Sequence, residues 1–380
     1  MSLQIGRKGK IFLKKEAAFA VEESLAATDF MRHIDFSATY DAFQRTVSPE
    51  RKQTPGPTSL FDRRQVAGLG TLVGLIRPSG VLNTVPECSD VLECGFGSIS
   101  NVTLSTTIND ASPTTTDADL TSATGLVKGS VIILIVAGVK YMRFVTAVAG
   151  SNVTWAPALP SAPANASAVK SGITYKLSTD LALSLTIAHY LSTFKRELLG
   201  AAVDTLKLDF GGTEEARFTA AGPASKQLTG TMQAEPGSAT AVGGNPPTGM
   251  VGDLLIGDTA YLHKSLSVDI KNALKMRNEE AGTSAATEVF RAGRRETMIT
   301  LDAFAETEAT LYDLAEAGTH ASLFRQNGRT EGNMVAIYAP SVYWQVPDTS
   351  SEEEEVSWGF QGRAIESADG QNDELYLGIA

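Results

Sequence analysis

Strict alternation of apolar and polar residues recurs along this chain, and that pattern leaves little besides antiparallel sheet open to it. ALSLTIAHYL places Leu181, Leu183, Leu185, Ile187, His189 and Leu191 on one side, with Ser184, Thr186 and Ser192 on the other. TLKLDF separates Leu206, Leu208 and Phe210 from Thr205, Lys207 and Asp209. Phe218 in EARFTA, the series Leu266, Val268 and Ile270, and the series Val356, Trp358 and Phe360 repeat it. Clean alternation predicts antiparallel sheets with one solvated face, and therefore a mainly β protein.

Helical signals are few and short. TVPECSDVLECG reads as a capping box, with Thr84 bonding the third helical position and Glu87 returning the bond. Pro86 is tolerated in a first turn and Gly95 is the expected stop. Cys88, Val91 and Leu92 would form the buried stripe. TEATLYDLAEAG is its counterpart, with Leu311, Leu314 and Ala315 inward and Gly318 as the stop.

These two helices belong to a larger echo. The first half reads KIFLKKEAAFAVEE, a long loop, a strand opened by Arg63-Arg64, the helix, LSLTIAHYL, AAVDTLKLDF and TEEARFTAAG. The second reads SLSVDIKNALKMRNEE, a loop, a strand opened by Arg294-Arg295, the helix, HASLFRQ, NMVAIYAPSV and EEEEVSWGFQG. Six elements in one order indicate an internal duplication. Between the halves, MQAEPGSATAVGGNPPTGM is rich in Gly, Pro, Ser and Ala and cannot pack a core. The expected division is 1–231, a linker at 232–250, and 251–380. Residues 106–176 are expected as a small β subdomain inserted in the first half and carried on its surface.

Totals narrow the function classes. A chain of 380 residues suffices for two or three domains, with 43% apolar and 20% charged residues, an ordinary globular balance. A net charge of −11 disfavours a grip on nucleic-acid phosphates. Cys88 and Cys94, if helical, lie about 9 Å apart along the axis and read as structural thiols rather than a disulfide. VIILIVAGV is too short to span a bilayer as a helix, and Lys14, Lys15 and Glu16 interrupt any signal-peptide core, so a cytoplasmic origin is expected.

Candidate chemistry is sparse. His33, His189, His263 and His320 show no metal-ligand spacing, and His189 reads as a core histidine. GLGTLVG misses the dinucleotide spacing, DFGG stands without other kinase elements, and neither GxSxG nor a P-loop occurs. No enzyme activity, cofactor or metal site is expected. The acidic run Glu352, Glu353, Glu354 and Glu355 lacks calcium-loop spacing and reads as a solvated turn or a carboxylate cluster facing a channel. Its expected partners are the pairs Arg63-Arg64 and Arg294-Arg295 of a neighbouring copy, through Arg–carboxylate forks.

The block RR…GLIRPSG…VPECSDVLECGFG, the segment from YKLSTDLALSLTIAHYL to EEARFTAAG, and the closing NMVAIYAPSVYWQVPDTSSEEEEVSWGFQG resemble the tail tube (major tail) proteins of long-tailed bacteriophages. The resemblance covers nearly the whole chain and rests on strand and turn patterns. It implies two tandem β-sandwich/barrel tube domains, each with a short flanking helix, joined edge to edge into rings that stack as a DNA-ejection conduit. With two such domains per chain, three chains per pseudo-sixfold ring are implied, with rings of six chains as the alternative. It further implies a virion tail location after assembly in the host cytoplasm, and tape measure, tail terminator and distal tail proteins as partners. An acidic lumen letting DNA slide past, with no membrane partner, completes that expectation. The alternative from the residues is a host-binding, adhesin-like virion protein whose insert stacks sugars on Trp155 and Tyr141.

Overall fold

The computed structural model describes residues 9–41, 45–47, 60–62, 65–179, 181, 183–304, 309–351, 356–368 and 370–380. Strands dominate the described residues, and two short α-helices accompany them, so the chain is mainly β.

The amino-terminal half begins with β1 (Lys10–Lys15), β2 (Phe30–Met31) and β3 (Asp35–Asp41), followed by the small hairpin β4 (Arg45–Val47) and β5 (Leu60–Asp62) and by β6 (Val66–Leu75). Helix α1 (Ser89–Phe96) leads into β7 (Gly97–Asn101). An inserted module follows: β8 (Ser105–Thr107), β9 (Asp117–Asp119), β10 (Val131–Val136), β11 (Val139–Ala149), β12 (Asn152–Ala156) and β13 (Ala168–Ser171). The half then resumes with β14 (Ile173–Leu177), β15 (Leu185–Leu191), β16 (Phe194–Ala201), β17 (Thr205–Gly211), β18 (Arg217–Ala224) and β19 (Lys226–Met232).

The carboxy-terminal half comprises β20 (Gly252–Ile256), β21 (Thr259–Ala260), β22 (His263–Lys271), the hairpin β23 (Leu274–Arg277) and β24 (Glu288–Arg291), and β25 (Glu296–Phe304). Helix α2 (Ala309–Glu316), β26 (Ala321–Asn327), β27 (Val335–Trp344), β28 (Asp348–Ser351), β29 (Val356–Ala364) and β30 (Tyr376–Ile379) complete it.

Pairing order repeats between the halves. In the first, β2-β1-β15-β16-β19 form one antiparallel run and β3-β6-β18-β17 another. In the second, β21-β20-β26-β27-β30 form one and β22-β25-β29-β28 another, and there the two runs are also joined where Val342–Trp344 of β27 pairs with Gly362–Ala364 of β29. Chain order matches pairing order throughout, so β20, not β22, is the counterpart of the opening strand β1. The sequence echo had aligned KIFLKK with SLSVDIK, because both alternate; the pairings assign β22 to β3 instead.

Local chemistry explains most elements and corrects one. Alternation sorts β17, β22 and β25 as expected, with Leu206, Leu208, Phe210, Leu266, Val268, Ile270, Ile299 and Leu301 in one core cluster. In β15 both faces are covered. Ser184 and Thr186, expected in water, donate to the buried carboxylate of Glu16, which also accepts from Gly200 N at 2.8 Å. Helix α1 starts later than its sequence signal: Cys88 is the N-cap without a side-chain bond, and Glu87 pairs with Arg32 rather than closing a capping box. Gly95 is helical and packs on Leu206, while Gly97, at φ 102°, is the left-handed cap. Cys88, Val91 and Leu92 are fully buried as expected.

The insert is a closed small sheet. Its strands run β8-β13-β10-β11-β12-β9, and the Ile108–Leu120 bridge joins the two ends. Ala137 and Gly138, both at positive φ, turn β10 into β11 as a two-residue hairpin. Ile132, Leu134, Val136, Val153 and Trp155 fill its interior. The 106–176 boundary is too long at its far end, because Ile173–Leu177 is β14, paired between β7 and β30. Nor is the insert free decoration: Val131, Ile133, Met142 and Phe144 pack on Phe324, Met334, Tyr338 and Tyr376 of the second half.

Residues 232–250 are largely without strand but lie against both halves. Glu235 pairs with Lys10, Val242 and Gly244 carbonyls accept from Arg32 and Arg77, and Asn245 N donates to Asn333. Gly244 fits there because it lacks a Cβ, which would collide with the Pro78 carbonyl.

Candidate assembly surface

The two four-stranded runs meet. β17 pairs with β22 along its whole length, from Thr205 opposite Lys271 to Gly211 opposite Ser265. The strands β3-β6-β18-β17-β22-β25-β29-β28 then lie side by side in one sheet, which also continues from β29 into the end of β27. Its core side belongs to the main hydrophobic cluster; its other side carries the polar half of each alternation.

Across that outer side the cross-strand rows mix sign. One row reads Asp35, Val73, Thr219, Lys207, Asp269, Met298 and Arg363. Lys207 bonds Asp209 at 2.8 Å, which raises its pKa against a smaller lowering by burial. Asp269 is pushed up by burial, with Lys207 opposing that shift. Arg363 meets Glu296 at 3.2 Å. Among the side chains described on this face, acidic Asp35, Asp209, Asp269, Glu296 and Asp302 outnumber Arg217, Lys207, Lys271 and Arg363 by one. Glu214 and Glu215 sit at the β17–β18 turn, where Arg217 lies 3.6 and 3.9 Å from them.

At the sheet's two borders, β3 has β6 on one side and β28 has β29 on one side; no described strand of this chain pairs with their outer edges. Exposed apolar residues stand at both: Ile34 immediately before β3 and Val346 two residues before β28, 57% and 50% exposed. An unpaired edge of this kind is a template for another strand.

The in-chain junction has its own fastening. Leu274 N donates to Asp204 Oδ1 at 2.6 Å and Asn272 N to the Asp204 carbonyl at 2.8 Å. The β23–β24 hairpin then lies on the first half, where Gln65 N donates to Ser284 O at 2.8 Å and Ser225 Oγ to Ala286 O at 2.6 Å. A groove of about 780 Å³ runs beneath this hairpin, floored by Val66, Ala67, Pro223 and Ala224 and bordered by Met276 and Phe290.

Of the residues expected to join subunits, Arg63, Arg64, Glu352, Glu353, Glu354 and Glu355 lie outside the described residues. Arg294 is exposed two residues before β25. Arg295 is used within the chain: its side chain is 6% exposed, meets Glu374 at 2.6 Å and donates to Ser178 O at 3.0 Å. Nothing in the alternation of β25 distinguished these two arginines.

Other candidate chemistry is structural in form. The Cys88 thiol is pushed up to about 12 by burial, and the Cys94 thiol likewise rises, so neither is a ready nucleophile. His33 and His189 flank Phe36 at ring distances of 6.5 and 5.1 Å, a grouping their sequence separation concealed. Burial lowers both pKa values, and for His189 the charges of His33 and Arg196 lower it further. No group of three or more His, Cys, Asp or Glu side chains suited to a metal occurs among the described residues. Trp155 is inside the insert, its indole N–H bonded to Thr115 O at 2.9 Å. Tyr141 is covered by Arg329 at 4.4 Å and Arg143 at 5.4 Å.

No protein-family model matches the chain, and no curated protein matches its sequence. No helix among the described residues is long and apolar enough to cross a membrane.

Proposed function

We propose that this chain is a structural subunit that polymerises edge to edge into rings, and that the rings stack into a phage tail tube through which DNA passes. The observation that carries the reading is the β17–β22 junction: two runs with one pairing order, already fused side by side within a single chain. The repeated pairing order is read as a duplicated tube domain, each copy open at a sheet border. A chain that offers one open edge at β3 and a different one at β28 makes a head-to-tail contact, and such contacts generate closed circles. Three chains then present six runs to one ring. The mixed charge described on the outer face of the sheet suits a wall that DNA slides past, since sustained phosphate binding requires clustered Lys and Arg. Sugar stacking by the insert has no support from Trp155, which is buried, or from Tyr141, which is partly buried with Arg329 over its ring.

Electron microscopy of the concentrated, purified protein tests this reading. Rings or tubes with a central channel are expected. A compact monomer at every concentration, ionic strength and pH tried would overturn it.

A further inference from the structure

The in-chain junction supplies a template for the contact between molecules. The two runs can be matched residue by residue through their pairings alone. Asp204 N donates to Ala221 O at 2.9 Å and Gln345 N to Gln361 O at 2.8 Å, so 221 corresponds to 361. Position 220 then corresponds to 360. Ala220 pairs with Leu72 and Phe360 with Leu301; Leu72 pairs with Phe36 and Leu301 with Leu266. Phe36 therefore occupies the place of Leu266. On the opposite border, Lys207 pairs with Thr219 and Asp348 with Gly359, which places Asp348 where Lys207 stands.

Within the chain, Lys207 faces Asp269 and Asp209 faces Ser267. Carried to the open borders, those pairs become Asp348 with Thr39 and Ser350 with Ser37. We propose that β28 of one molecule pairs antiparallel with β3 of a second copy of this chain in that register, a proposal that rests on the ring reading above. The occupant is a second copy because the same chain already holds the same two strand types together in one sheet. The register matters physically, since Phe36 and Ala38, partly buried against the main core, fix the core face of β3, and a slip of one residue would set that face beside the outer face of the neighbouring sheet. The fastening differs between the two seams. Gln345 stands where the in-chain seam has Asp204, whose carboxylate caps Leu274 N. The seam between molecules thus lacks that carboxylate bond and rests more on strand pairing.

Paired cysteines test the register. Directly opposed residues on antiparallel strands bring their Cβ atoms to about 5 Å, within reach of a disulfide. The natural Cys88 and Cys94 are buried and do not interfere. Ser37→Cys with Ser350→Cys, assembled and mildly oxidised, is expected to give a covalent ladder on non-reducing gels. Ser37→Cys with Thr349→Cys, one residue out of register, is expected to give at least tenfold less. The wild-type protein provides a second measurement that no substitution can compromise: amide exchange in 36–39 and 348–351 should slow at least tenfold on assembly. Rings that form without the 37–350 link, or without protection of both segments, overturn this register and leave the ring reading standing. Absence of any assembly overturns both.

Discussion

Asn272, at the end of β22, donates its side-chain amide to the Gly95 carbonyl of α1 at 2.9 Å and to Val203 O at 3.2 Å. One fully buried side chain thereby ties the second half to the helix and to the β16–β17 connection of the first. Asn272→Ala leaves two carbonyls without that donor in a dry site, at a cost of about 1–3 kcal/mol. The urea midpoint is expected to fall while the transition stays single and its slope unchanged, because the halves share one core. Two separated transitions in the wild-type protein would contradict this.

Phe144 of the insert stacks on Tyr338 and Tyr376 at 5.6 and 5.9 Å and meets Phe324 edge-on at 6.4 Å. Phe144→Ala is expected to destabilise the protein by about 3–5 kcal/mol, the usual cost of a large void. Thermal unfolding followed at the aromatic rings checks it. An unchanged melting temperature would mean that the insert stands apart from the second half in solution.

Arg294 and Arg295 are adjacent and identical in type, yet only the second is buried. Arg295→Met removes the partner of Glu374 and the donor to Ser178 O, with an expected loss of about 2 kcal/mol after allowing for the residual exposure of Glu374. Arg294→Met is expected to shift stability by less than about 0.5 kcal/mol. Chemical denaturation of the two variants side by side decides the matter.

Burial, reinforced by the Arg325 charge, lowers the pKa of His263 from 6.5 to about 4. Between those values the unfolded chain binds the proton and the folded chain does not, so stability rises with pH there. Above about pH 6.5 the contribution is complete; it is lost as pH falls towards 4, by on the order of 3 kcal/mol. Carboxylates titrate in the same window, so the measurable quantity is the difference from His263→Phe. That variant is expected to show a shallower fall between pH 6.5 and 4.

Alternation located the strands because each packs one side on a common core, and a two-residue period survives any choice of neighbour. It did not disclose that β17 and β22 lie together, since sheet neighbours are chosen by contacts far apart in sequence. The polar residues of β15 looked solvent-facing because their partner, Glu16, is about 170 residues away. The helix start failed for a different reason. Thr84 and Glu87 fit a capping box locally, but Arg32 takes Glu87 and a turn at Pro86 precedes the first helical residue. The docking of the insert did leave a trace in the sequence. In VIILIV the residues between the inward-facing Ile132, Leu134 and Val136 are also apolar, and Val131 and Ile133 are the ones turned towards the second half. The candidate assembly surface was legible only as an expectation of open edges, and the strands that form those edges had to be read from the pairings.

The insert leaves the body at Asn101 and returns at Ile173, residues that face each other across β7 and β14. A module attached at two neighbouring points can be lengthened, shortened or exchanged without moving anything beneath it. The aromatic surface of Phe324, Tyr338 and Tyr376 withdraws that freedom here, because it needs a cover of matching shape. In descendants of this chain the module and that patch must therefore change together, and a variant that discards one while keeping the other inherits a sticky wound.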